Sequence, residues 1–167
     1  DAMERYGSDK PDTRFGLELR DISGTAKRCD FQVFRKAVEK GGVVKGINAR
    51  GCSSFSRREI DELTDYASQF GAKGLAYMYV EEAGIRSPIA KFFHSDLLEE
   101  ITHELEGKPG DLLLFVAADR ATACHALGAL RLKLAERLGL AGDAKRNFLW
   151  VVDFPLLEYD PLAKRFI

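Results

Sequence analysis

Leu112-Leu-Leu-Phe-Val-Ala117 is an unbroken apolar run of six residues. A membrane-spanning helix needs about 20 such residues, and no apolar run in this chain approaches that length. Set between Gly110-Asp111 and Asp119, the run reads as a central strand buried on both faces. Asp119 then caps a long helix, because its carboxylate can accept from first-turn amides. Ala123, Leu127, Leu130, Leu134 and Leu138 recur at helical spacing on it, and Gly139 closes it. Such a stripe is core packing rather than a ligand groove.

Upstream, Ser95 is placed to cap a helix through Leu97, Leu98, Ile101 and Leu105, stopped at Gly107. Ser56-Arg-Arg-Glu59 has the form of a capping box, with Ile60, Leu63, Ala67 and Phe70 behind it and Gly71 as the stop. Leu75 to Val80 reads as a strand, turned by Glu81-Glu-Ala-Gly84 and returned by Ile89 to Phe93. Residues 31–48 are ambiguous. Phe31, Phe34 and Val38 fit a helix, whereas Gly41-Gly42 fits a hairpin joining Val33–Val38 to Val43–Ala49. The β-branched Val43-Val44 directly after the turn favours the hairpin. Leu17 to Ile22 alternates like a half-buried strand, broken at Ser23-Gly24. The sequence of hairpin, helix, hairpin, helix, strand and helix predicts an α+β fold: a two-layer sandwich of a mainly antiparallel sheet with helices on one face.

At 167 residues, 46% hydrophobic and 31% charged, the chain has the composition of an ordinary globular domain. It has no signal-peptide h-region, and it does not begin with Met, so it reads as a piece of a longer protein. The net charge of −1 does not advertise nucleic acid, although residues 27–146 hold 19 Lys+Arg against 17 Asp+Glu, a balance of +2. Cys29, Cys52 and Cys124 are far apart and none stands at metal-ligand spacing with His94, His103 or His125. Free thiols in a reducing compartment, and no metal site, are the expectation. Cys124 and His125 are adjacent on a helix and face different ways, which argues against a catalytic pair. No Gly-rich dinucleotide motif, P-loop or nucleophile elbow occurs.

Three stretches remain that can carry chemistry. Arg5-Tyr-Gly-Ser-Asp-Lys-Pro-Asp-Thr-Arg-Phe15 is a loop, because Gly7 permits a tight turn and Pro11 forces Lys10 out of helical geometry. Its interleaved charges read either as a solvated turn or as the lining of a site for a charged substrate. Phe148 to Leu157 is a strongly apolar strand followed by the Tyr159-Asp-Pro161 turn. Gly46 to Arg58 reads as a mobile, hydroxyl-rich loop running into a helix N-terminus. It is either solvated or a phosphate contact through Arg50, Arg57 and Arg58.

Tyr6-Gly-Ser-Asp-Lys-Pro-Asp-Thr-Arg-Phe15 resembles the signature that follows motif 2 of the class II core in bacterial aspartyl-tRNA synthetases. Trp150 to Glu158 is similar to the strand where that core resumes, with Asp153 and Glu158 at matching positions. Between them, Gly41-Gly-Val-Val-Lys-Gly-Ile-Asn48, Pro88-Ile-Ala-Lys-Phe92, Gly110 to Ala117 and Leu127-Gly-Ala-Leu-Arg-Leu-Lys133 resemble the family's inserted GAD domain. The resemblance implies a β-β-α-β-β-α GAD (DCoH-like) arrangement. It divides the chain into core at 1–26, insertion at 27–146 with an exit linker at Leu140–Ala144, and core again at 147–167. It also implies a parent enzyme that joins aspartate to tRNA with ATP and Mg2+, works in the cytoplasm and is a homodimer. Ser8, Asp9 and Lys10 would lie beside the substrate site or order their own loop. The motif 2 arginine and the Gly-rich motif 3 are not in this sequence, so no complete catalytic set is expected here. A GAD domain also occurs in a tRNA-dependent amidotransferase subunit, which is the alternative context.

Overall fold

The computed structural model describes residues 1–142, 146–157, 159–160 and 163–166. Strand β5 (Leu112–Ala118) stands at the centre of a five-stranded sheet. The others are β1 (Arg20–Asp21), β2 (Val43–Ala49), β3 (Ala76–Glu81) and β4 (Gly84–Arg86), in the order β1-β2-β5-β3-β4, with every pairing antiparallel. β2 runs the full length of β5, from Val43 opposite Ala118 to Ala49 opposite Leu112.

Alternation along β5 divides the interior in two. Leu112, Leu114 and Val116 face one core with Ile47, closed by α4 (Arg57–Ser68) and α6 (Arg120–Arg137). Leu113 and Phe115 face a second core, closed by α2 (Ser23–Ala26), α3 (Gln32–Glu39) and α5 (Ser95–Glu104). The α+β class and the antiparallel sheet are as the sequence implies. The helices, however, cover both faces of the sheet, giving three layers where helices on one face were expected. The physical reason lies in β5 itself. Each buried Leu or Phe side chain contributes about 1.5–3 kcal/mol, so a strand apolar on both faces is stable only when covered twice.

Residues 32–39 form helix α3 and not the first arm of a hairpin. Phe34 is buried among the rings of Phe31, Phe93 and Phe115, with centroids 5.0 to 6.1 Å away. Gly41, at φ 79°, stops the helix, with the Gly41 and Gly42 amides donating to the Val38 and Ala37 carbonyls. A Gly-Gly step serves a helix end as well as a hairpin. The distant partner β5, which takes the whole of β2, decides between them. The second hairpin exists, but its return arm is Gly84–Arg86. Ile89 to Phe93 instead makes a 3-10 turn at Ala90–Phe92, because Pro88 has no N–H to give a ladder. The capping box at Ser56 and Glu59 and the Asp119 cap on Thr122 are present. At α5 the N-cap is His94, without a side-chain bond, and Ser95 is the first helical residue.

Phe148 to Leu157 is not a strand: no strand of the sheet pairs with it, and Trp150 is 94% exposed. A strand needs a hydrogen-bonding neighbour, and none is offered to it here. Phe148, Trp150, Val152 and Leu156 all face outward. Beyond it, β6 (Tyr159–Asp160) and β7 (Arg165–Phe166) pair with each other. Glu158, Pro161 and the second half of the Leu140–Ala144 linker lie outside the described residues.

Candidate functional site

The Arg5–Phe15 segment does not hang free; it is seated on α6. Helix α1 (Ala2–Tyr6) ends at Gly7, which is buried at φ 67° with its amide on the Met3 carbonyl. Gly7 touches Gly128 of α6 backbone to backbone. A Cβ built on Gly128 would lie 2.7 Å from the Gly7 oxygen and 2.9 Å from its Cα. Lys45, on the inward face of β2 between Val43 and Ile47, is 2% exposed at its side chain. Its ammonium donates to the Glu4 carboxylate at 2.6 Å and the Glu4 carbonyl at 2.9 Å. Arg120, the first residue of α6, donates to the same carboxylate at 2.7 Å. The Lys45 ammonium first, and then Arg120, hold the Glu4 carboxyl below the usual carboxylate range.

The loop beyond Gly7 is held by Arg131 of α6, which is 1% exposed. Its Nη2 donates to the carbonyl oxygens of Asp12 at 2.5 Å and of Phe15 and Gly16 at 3.1 Å each. Its guanidinium lies between the rings of Phe15 and Tyr6, 4.2 and 5.0 Å from their centroids. Burial lowers its pKa and the Asp12 carboxylate opposes that shift. Asp12 itself is paired to Arg14 at 2.7 Å. The buried charge is thus met by carbonyl dipoles and two π faces. Inside the loop the Ser8 hydroxyl accepts from the Lys10 amide at 3.0 Å, which orders the turn. The Asp9 and Lys10 side chains are exposed, with no partner among the described residues.

Ser8 and Asp9 line a cleft of about 740 Å³ together with Met3, His125, Val151, Asp153 and Phe154. Asn147 adds a bond from its side-chain nitrogen to the Thr13 carbonyl at 2.9 Å. The structure therefore brings the two end segments together over α6 and not in a shared sheet. No Lys or Arg lines this cleft, so the described residues do not fit a nucleotide triphosphate with its metal.

The arginines Arg50, Arg57 and Arg58 form no such constellation. Arg50 pairs with Glu106 at 3.2 Å and lines one cleft with Arg20 and Asn48. Arg57 pairs with Asp61 at 2.9 Å, donates to the Tyr77 hydroxyl at 3.1 Å and lines another cleft with Lys73. Arg58 pairs with Glu62 at 3.2 Å. The loop between them is fastened rather than mobile. The buried Asp111 carboxylate accepts from the Gly51 amide, the Lys108 amide and the Asn48 side chain at 2.9 to 3.1 Å. The Ser53 amide donates to the Gly110 carbonyl. Glu59 and the Ser56 hydroxyl already occupy the N-terminus of α4, where a phosphate was a candidate.

Residues 34–127 match the family described as the GAD domain, 94 of the chain's 167 residues. The chain belongs to the GAD domain family. It is also similar along its whole length to proteins named aspartate–tRNA(Asp/Asn) ligase. It is 58% identical over 167 residues to the one from Moorella thermoacetica, covering 100% of this chain and 28% of that protein. It is 54% identical over 168 residues to that of Symbiobacterium thermophilum, with the same coverages. The Bacillus cytotoxicus ligase is 55% identical over 167 residues, 99% of this chain and 28% of that protein. The chain thus spans little more than a quarter of the curated relatives it matches.

The residue pattern alone did not single out the seat of the Arg5–Phe15 segment on α6. Lys45, Gly128 and Arg131 were parts of quoted motifs, not site residues. A signal was present. Lys45 falls in the inward stripe Val43, Lys45, Ile47, Ala49, and Arg131 falls four residues after Leu127 and three before Leu134 on the buried face of α6. A cation on an apolar stripe needs an acceptor brought to it from elsewhere in the chain.

Proposed function

We propose that this chain is the GAD insertion, with short flanks of the surrounding core, of an aspartate–tRNA ligase that activates aspartate with ATP and Mg2+ and transfers it to tRNA. The observation that carries this is coverage: the ligase similarity runs through residues 1–33 and 128–167 as well as through the GAD match. A GAD domain of an amidotransferase subunit has no cause to carry ligase sequence on both sides. Ser8, Asp9 and Lys10 then stand at the edge of the aspartate-activating site, with Asp9 and Lys10 free to meet substrate. The outward apolar residues Phe148, Trp150, Val152 and Leu156 await the rest of the ligase core, and a homodimeric parent in the cytoplasm belongs to the same reading. The buried thiols Cys29, Cys52 and Cys124 suit a reducing compartment.

The chain alone does not form aspartyl-adenylate on this reading, because its cleft has no cationic side chain for the phosphates. Aspartate-dependent ATP–pyrophosphate exchange tests both halves. The full-length protein carrying this chain exchanges and the chain alone does not; turnover by the chain alone, or none by the full-length protein, refutes the reading. Contact with tRNA by Arg50, Arg57 and Arg58 would exchange Glu106, Asp61 and Glu62 for phosphates. These exposed pairs are each worth only about 0–1 kcal/mol. The Arg50→Ala, Arg57→Ala double variant should then flatten the salt dependence of tRNA affinity by about one to two units of slope. An unchanged slope removes these arginines from the interface.

A further inference from the structure

We propose that α6 is the mount of the Ser8–Asp9–Lys10 loop, with Gly128 and Arg131 as positioning residues that set where the loop stands against the small substrate. This rests on the reading of Ser8–Lys10 as the edge of the aspartate-activating site. The tertiary anchors of the segment lie largely on one helix. Gly7 abuts Gly128, the carbonyls of Asp12, Phe15 and Gly16 converge on Arg131, and Glu4 is tied to Arg120. Between the anchors at Gly7 and Asp12 the loop offers one unpaired anion, Asp9, and one unpaired cation, Lys10. Adjacent opposite charges complement an amino-acid zwitterion better than a polyphosphate, which calls for cations alone. The inserted domain therefore acts on aspartate binding through the placement of the loop backbone. Gly128 and Arg131 lie just beyond the residues matched to the GAD domain and inside the span aligned with the ligases.

The test uses the full-length protein carrying this chain, with Arg131→Met, Arg131→Lys and Gly128→Ala. Lysine can still donate to the loop carbonyls but cannot stack between Tyr6 and Phe15, so it should recover part of the effect. Steady-state exchange is measured against aspartate and ATP separately, and amide exchange of residues 4–19 is followed by mass spectrometry. Arg131→Met should raise the KM for aspartate about tenfold and leave kcat and the KM for ATP within about twofold, the pattern of lost ground-state positioning. Arg131→Lys should fall between, and Gly128→Ala should follow Arg131→Met. Faster exchange at residues 4–19 with an unchanged KM for aspartate overturns the inference and leaves the ligase reading intact. A loss of kcat in step with melting temperature, with no KM split, assigns Arg131 to stability alone and also overturns it. A wild-type protein without aspartate-dependent exchange overturns the ligase reading, and this inference with it.

Discussion

Replacing Gly128 by alanine sets two local rules against each other. In the interior of an exposed helix, Gly→Ala is worth about 1 kcal/mol of stabilisation. In α6 the new methyl would meet the Gly7 oxygen at 2.7 Å, its Cα at 2.9 Å and its carbonyl carbon at 3.0 Å. Carbon contacts are comfortable near about 3.5 Å, so the overlap is roughly half an ångström or more, and both surfaces are backbone. No rotamer can relieve it. Gly7 must move outward while Lys45 and Arg120 hold Glu4 on one side and Arg131 holds Asp12 on the other. Overpacking of this kind costs about 1–3 kcal/mol, so after a helix gain of about 1 kcal/mol the net global change is a destabilisation of about 0–2 kcal/mol. Locally the cost falls on the segment. At about tenfold per 1.4 kcal/mol, exchange of the Arg5, Gly7 and Leu19 amides should quicken about 5- to 150-fold, while β5 amides keep their protection. A higher melting temperature with unchanged exchange at those amides would show that the seat does not constrain α1, and the reasoning would fail.

Glu4→Gln should destabilise more than Lys45→Met, because it leaves a buried ammonium with the Glu4 carbonyl but no counter-charge, whereas the reverse change leaves a carboxylate that is 41% exposed and still paired to Arg120. With that exposure discounted, about 1–2 kcal/mol is expected for Glu4→Gln, read from urea melts, with the double variant losing less. Acid should loosen the same segment. Lys45 holds Glu4, and Arg5 holds Glu18, below the usual carboxylate range, so their contribution is complete above about pH 4.3 and is lost as pH falls through the depressed folded values. Leu19 amide exchange, corrected for its intrinsic pH dependence, should rise across that window; a flat profile contradicts the linkage. Asp111→Ala orphans the Gly51 and Lys108 amides and removes one of three acceptors of the Asn48 side-chain nitrogen, and should cost about 2–4 kcal/mol in chemical denaturation. Burial raises the thiol pKa of Cys29, Cys52 and Cys124, so a disulfide reagent should titrate them only after unfolding. Rapid reaction of a native thiol would contradict that burial.

How much of the molecule was legible varies with the range of the interactions that decide it. The Ser56 capping box, the Asp119 cap and the two-sided strand at Leu112 are settled by neighbours within a few residues, and they stand as read. The choice between helix and hairpin at Val33–Val38 turned on β5, some 70 residues away, against which a local Gly-Gly signal has no weight. Coverage of both sheet faces followed from the same unread helix, since α3 closes the second core around Phe34. At the site, the loop character of residues 8–14 was legible from Gly7 and Pro11. The seat on α6 was legible only in part: Arg131 on the apolar face calls for an acceptor, but nothing local says which segment brings it, and Gly128 in a helix looks like a defect.

That blindness has a physical source, and it bears on what the insertion is for. Helix α1 has five residues, far short of the roughly 12 that an isolated helix needs to be even marginally stable. The loop after it is tied internally only over short range, by the Lys10 amide on Ser8 and by the Arg14 amide and guanidinium on Asp12. Neither element has a reason to hold its shape alone; both borrow it from a partner more than 100 residues away in sequence. The fold of α6 is already fixed by Leu127, Leu130 and Leu134 in the first core, whereas the segment supplies only the acceptors of its buried Arg131. Excising residues 27–146 from the full-length protein that carries this chain should therefore leave residues 2–16 without a template, and on the ligase reading proposed above aspartate affinity should fall even if the remaining core folds. Retained aspartate affinity in a folded deletion variant would mean that the core holds the loop unaided.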